Sequence, residues 1–114
     1  MLRIYHNPRC SKSRAALALL EDAGKNPEIL KYLDNPPSEE RLRAMLKKLD
    51  ISAVELLRTN ENEYKTLGLN RGTLDEEDAI EALLTQPKLM QRPIIETEDR
   101  AFVARPTERA KEVI

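Results

Sequence analysis

The feature that most limits what this chain can become is the run Ile4-Tyr5-His6-Asn7-Pro8-Arg9-Cys10-Ser11-Lys12-Ser13-Arg14, which sets the only cysteine between a strand pattern and a helix pattern. The apolar residues before it suit a buried strand, Asn7-Pro8 breaks that strand, and the alanine- and leucine-rich segment from Ser11 suits a helix. Cys10 is therefore expected at a helix N-terminus. There the free backbone N–H groups and the positive end of the helix dipole favour an anion, and Arg9, Lys12 and Arg14 add positive charge. Both effects lower a thiol pKa. A free cysteine is often just a small packed hydrophobe, but one bracketed by polar and basic residues at such a junction reads as a nucleophile.

The rest of the composition narrows the setting. At 114 residues, with 40% hydrophobic and 34% charged residues, the chain reads as one soluble globular domain. No apolar run approaches the roughly 18 residues of a membrane span. The N-terminus carries no signal-peptide h-region, so a cytoplasmic location is expected. A formal net charge of −1 gives no global attraction to nucleic acid or to a membrane surface, so an anion site would have to be a local gathering of cations. One cysteine leaves no internal disulfide, and redox work at Cys10 would draw its second sulfur from another molecule. One cysteine and one histidine also make a zinc or iron–sulfur site an unsuitable reading, and no metal is expected.

Taken in order, Leu2 to Tyr5 predicts a strand, and Ala16, Leu17, Leu20 and Ala23 predict a helix ending at Gly24. Ile29 to Leu33 predicts a second strand, completing a βαβ unit with a right-handed crossover. Ser38 is a plausible N-cap for a helix carrying Leu42, Met45, Leu46 and Leu49. Val54, Leu57, Tyr64, Leu67 and Leu69 suggest short helices broken at Thr59-Asn60 and Gly68. Asp75 with Asp78 resembles a capping pattern for a helix with Ile80, Leu83 and Leu84, closed by Pro87. Ile94 to Thr97 and Ala101 to Ala104 read as a hairpin, and Pro106 suits the first turn of a last helix. The order β-α-β, helical block, β-β-α predicts an α/β fold with a mixed sheet, a single domain over residues 1–114 with a helical insertion at about 38–87.

Other candidate site residues have weaker local signals. His6 could tune the Cys10 thiol or simply end a strand with a backbone hydrogen bond. Of eleven arginines, Arg92 precedes Pro93 and Arg105 precedes Pro106. An X-Pro bond holds the preceding residue extended, so both could be aimed from defined positions toward one end of the sheet. Arg58 would ordinarily pass as a helix-end cation.

The run His6 to Arg14 resembles the active-site segment of the thioredoxin-like arsenate reductases that work with glutathione and glutaredoxin. The resemblance continues through Tyr32-Leu33-Asp34-Asn35-Pro36-Pro37, Leu56-Leu57-Arg58, Tyr64-Lys65-Thr66-Leu67-Gly68-Leu69, Gln91-Arg92-Pro93-Ile94 and Ala104-Arg105-Pro106-Thr107. It implies a thioredoxin-like fold with Cys10 as nucleophile, Arg58, Arg92 and Arg105 as oxyanion-binding residues, His6 and Ser13 assisting the thiolate, and Pro93 as the cis-proline. It implies arsenate as substrate, glutathione as co-substrate, glutaredoxin as partner, and no bound cofactor. Guanidinium suits a tetrahedral oxyanion better than ammonium does. Two features depart from the family: relatives that act as regulators often carry a second cysteine three residues on, where Ser13 stands, and better-known members run on beyond the position of Ile114. The alternatives are a glutathione-dependent thiol transferase, which would need Cys10 but not the arginines, and a non-enzymatic regulator that binds a protein partner.

Overall fold

The computed structural model describes residues 1–58 and 74–114. These fall into two compact units, Met1–Asn35 with Arg92–Ile114, and Pro36–Gln91. The expected helical signals at Thr59-Asn60, Tyr64, Leu67, Gly68 and Leu69 lie outside the described residues.

The first unit is a four-stranded mixed sheet. Strands β1 (Leu2–Tyr5), β2 (Glu28–Leu30), β3 (Ile94–Thr97) and β4 (Ala101–Val103) stand in the order β2-β1-β3-β4. β1 runs parallel to β2 and antiparallel to β3, which pairs antiparallel with β4. Because side chains alternate across a strand, the registered residues Ile4, Ile95 and Phe102 share one face. That face packs with Ala16 and Leu20 of helix α1 (Ser11–Asp22) and with Ala110 of a closing 3-10 helix (Thr107–Val113). α1 buries Ser13, Ala16 and Leu20, spaced as one helix face. It ends where Gly24 takes φ +78°, with Lys25 N–H donating to Leu20 O and Gly24 N–H to Glu21 O, the paired bonds of a glycine-terminated helix.

The opposite sheet face carries a polar cluster. Arg3 donates to Glu28 at 2.7 Å and to Glu96 at 3.1 Å, and Tyr5 Oη donates to Glu96 at 3.0 Å. Glu96 is buried yet satisfied, as a buried carboxylate must be. Burial, then the neighbouring Glu96 charge, pushes the Tyr5 hydroxyl up to about 12.

The second unit is helical. Ser38 caps α2 (Glu39–Leu49) by accepting the Arg41 N–H, Ser52 caps α3 (Ala53–Leu56), and Asp75 caps α4 (Glu76–Thr85) by accepting the Asp78 N–H. Acidic first turns on α2 and α4 and Lys47 and Lys48 at the end of α2 complement the helix dipoles. A 3-10 turn (Pro87–Leu89) follows, and an antiparallel bridge joins Leu57 to Met90.

Two expectations change. The second strand is Glu28–Leu30 and not Ile29–Leu33, because Asp34 and Asn35 N–H both turn back onto Lys31 O and close a turn. The last helix is 3-10, with Pro106 at its N-cap instead of within its first turn.

Candidate active site

The registers Tyr5 with Leu30, Tyr5 with Ile94 and Ile94 with Val103 bring four chain segments to one end of the sheet. These are His6 to Cys10 leaving β1, Lys31 leaving β2, Arg92-Pro93 entering β3, and Ala104-Arg105 leaving β4. Ala104 N–H donates to Pro93 O at 2.8 Å, which ties the two arginine-bearing segments together. The Arg92–Pro93 and Arg105–Pro106 peptide bonds are both cis.

Cys10 is the N-cap residue of α1, extended at φ −94°, ψ 120°, with its carbonyl accepting the Arg14 N–H at 3.0 Å. Its side chain makes no capping hydrogen bond. Partial burial works against the thiolate, but the Ser13 N–H, the Arg92 guanidinium and the Lys12 N–H outweigh it, and the Cys10 pKa lies below the ordinary thiol value. The Ser13 and Lys12 N–H groups that lower this pKa are those three and two positions on from the N-cap, the groups that an N-cap side chain serves.

His6 sits beneath this loop. Its Nδ1 is 2.6 Å from Ser13 Oγ, and Ser13 is fully buried. Burial, then the charges of Lys31 and Arg14, lowers the His6 pKa despite Glu21, so the ring is neutral near pH 7. The groups that lower the Cys10 pKa are thus the Arg92 guanidinium and backbone N–H groups, while the His6 ring is hydrogen-bonded to Ser13. Arg14 Nη1 donates to Pro8 O at 2.7 Å.

Arg105 is half-buried, and its Nε is buried without a hydrogen-bond partner. A guanidinium N–H withheld from water in this way costs free energy until an acceptor arrives. Arg58 follows α3 in the second unit, where its N–H donates to Leu89 O at 2.6 Å. Among the described residues, no cluster of three or more His, Cys, Asp or Glu could hold a metal ion, and no helix is long and apolar enough to cross a membrane.

Residues 5–113 match the model of the ArsC family. The chain belongs to the ArsC family. It is 43% identical to an arsenate reductase of Neisseria meningitidis over 99% of this chain and 97% of that protein. It is 46% identical to the uncharacterized protein YfgD of Escherichia coli K12 over 99% of this chain and 96% of that one. A solved arsenate reductase from Vibrio cholerae superposes with a TM-score of 0.92 at 38% identity, covering 99% of this chain and 97% of the other. The mixed sheet with its helices is thus the thioredoxin-like arrangement of ArsC proteins.

Sequence reasoning passed over two features of this ArsC chain. The Arg3–Tyr5–Glu96 cluster was readable from parity, since Ile94 and Glu96 fall on one face of a four-residue strand. Asn7 does more than break the strand: Asn two residues before Arg9 is the pattern of a side-chain turn, and its Oδ1 accepts the Arg9 N–H.

Proposed function

We propose that the protein reduces arsenate to arsenite, with Cys10 as nucleophile, Arg92, Arg105 and Arg58 as oxyanion ligands, and glutathione and glutaredoxin as reductants. The observation that carries this reading is the meeting, at one sheet end, of a cysteine of lowered pKa held by Arg92 with Arg105, whose buried Nε lacks an acceptor.

In the first step the Cys10 thiolate attacks arsenic, an As–O bond breaks, and the protonated oxygen leaves as water, giving a Cys10–arsenate adduct. Arg92 and Arg105 neutralise the oxygens, which otherwise repel the thiolate. A glutathione thiolate then attacks Cys10 Sγ. The S–As bond breaks with its electron pair passing to arsenic, so As(V) becomes As(III), arsenite leaves, and Cys10 is left as a mixed disulfide with glutathione. A glutaredoxin thiolate attacks the glutathione sulfur and returns Cys10 as the thiolate. Two thiols supply the two electrons. Ser13, fixed by His6, holds the loop that presents the sulfur.

The test is arsenate-dependent NADPH consumption in an assay coupled through glutathione, glutaredoxin and glutathione reductase. Turnover is expected in the native protein and loss of it in Cys10→Ser, Arg92→Ala and Arg105→Ala alike. A thiol transferase would instead keep its activity toward glutathione mixed disulfides in both arginine variants, and a non-enzymatic regulator would show neither activity.

A further inference from the structure

We propose that Asn7 is a positioning residue that aims the Cys10 sulfur by fixing the shape of the loop from β1 to α1. The inference rests on the reading of Cys10 as the nucleophile but not on arsenate as its substrate.

Asn7 touches this loop at three points. Its N–H donates to Ser13 Oγ at 3.1 Å, its carbonyl accepts the Cys10 N–H at 3.0 Å, and its side-chain Oδ1 accepts the Arg9 N–H at 3.0 Å. The side chain is one of the few buried polar groups among the described residues, with Asn7 only 6% exposed. Two of the bonds use the backbone and are available to any residue but proline. The third belongs to the side chain, and it closes a turn whose last residue is joined directly to Cys10. The donor at Arg9 also fixes the amide orientation, because the NH2 end would face another N–H.

The placement matters because the lowered pKa of Cys10 depends on direction. The sulfur must face the Ser13 and Lys12 N–H groups and Arg92 together, and hydrogen bonds weaken steeply as their angles close. A loop free to rotate at Arg9 lets the sulfur swing away from part of that set. The residue type is also specific. Aspartate would supply the same acceptor but bring a negative charge into a nearly dry position beside a thiolate, which raises a thiol pKa. Asparagine gives the turn without the charge, and serine gives a weaker version of it.

The experiment is the pH profile of Cys10 alkylation by iodoacetamide, with folding of each variant checked by circular dichroism. In Asn7→Ala the profile is expected to move up by about one pH unit. Thiolate falls about tenfold per unit below the pKa, while the remaining thiolate becomes more nucleophilic, so the rate at pH 6 drops about threefold. Asn7→Ser is expected to recover part of the shift. An alanine variant that is folded with an unmoved profile overturns the proposal, and so does a serine variant as shifted as the alanine one, which would assign the effect to lost packing. Should Asn7→Ala not fold, amide exchange in the native protein decides: protection of the Arg9 N–H supports the clamp, and free exchange at that amide overturns it. None of these readings uses arsenate, so the clamp and the substrate assignment fail separately.

Discussion

Arginines in the first unit live in two different worlds. Away from the site end they are paired: Arg3 with Glu28 and Glu96, Arg100 and Arg109 with Glu112. At the site end Arg14 caps a backbone carbonyl, Arg92 lies against the Cys10 sulfur, and Arg105 has no carboxylate partner among the described residues. The same side chain thus does two jobs, and its acceptor tells them apart. Where a carboxylate is built in, the arginine holds strands and termini together; at Arg105 no such acceptor stands among the described residues, and the proposed oxyanion role relies on that difference.

That contrast can be broken by substitution. Cys10→Ser is expected to lower arsenate turnover to background in the coupled assay, since an alcohol at this position stays protonated. Arg105→Ala is expected to lower kcat/KM about 10- to 100-fold, the range of one buried hydrogen bond to a charged group, with little change in melting temperature. Glu96→Ala should do the reverse. It strips Tyr5 and Arg3 of a buried acceptor and is expected to cost about 3 kcal/mol in chemical denaturation, while the alkylation profile of Cys10 stays in place. A loss of stability in Arg105→Ala comparable to that of Glu96→Ala would erase the distinction.

A smaller effect concerns His6. Its pKa is lowered in the folded protein by burial and by Lys31 and Arg14. The unfolded chain takes up a proton at about pH 6.5 while the folded one resists it, so the unfolded state binds more protons and stability falls as pH drops below that value. His6→Gln should flatten this part of the stability curve, measured by urea denaturation between pH 7 and pH 5. Smallest of all, Glu112→Gln removes an exposed pairing with Arg100 and Arg109 and is expected to leave the melting temperature nearly unchanged.

Much of the fold was legible because its signals are local. The caps Ser38 and Asp75, the Ala16 to Leu20 helix face and the stop at Gly24 each depend on a few adjacent residues, and each is found as expected. The second strand ends at Leu30, short of the apolar pattern that runs on through Tyr32 to Leu33. Tyr32 is buried, but from a turn, and burial alone does not distinguish the two. The site divides along the same line. Cys10 could be placed at a helix N-terminus from its neighbours, whereas nothing near Arg105 in sequence says that its Nε lacks an acceptor. That property belongs to the sheet, which sets Arg92 and Arg105 side by side through the Pro93 to Ala104 hydrogen bond across ten residues of hairpin. Family resemblance supplied those positions, and the register gives the physical reason for two of them.

Protection of Cys10 by the oxyanion tests the central claim most directly. The rate of Cys10 alkylation by iodoacetamide is measured at fixed pH against rising arsenate, in the native protein and in Arg105→Ala. Saturable protection in the native protein, weakened about 10-fold or more in the variant, is the result expected of a thiolate and an arginine that share one anion. An alkylation rate indifferent to arsenate, or protection equal in both proteins, would contradict it.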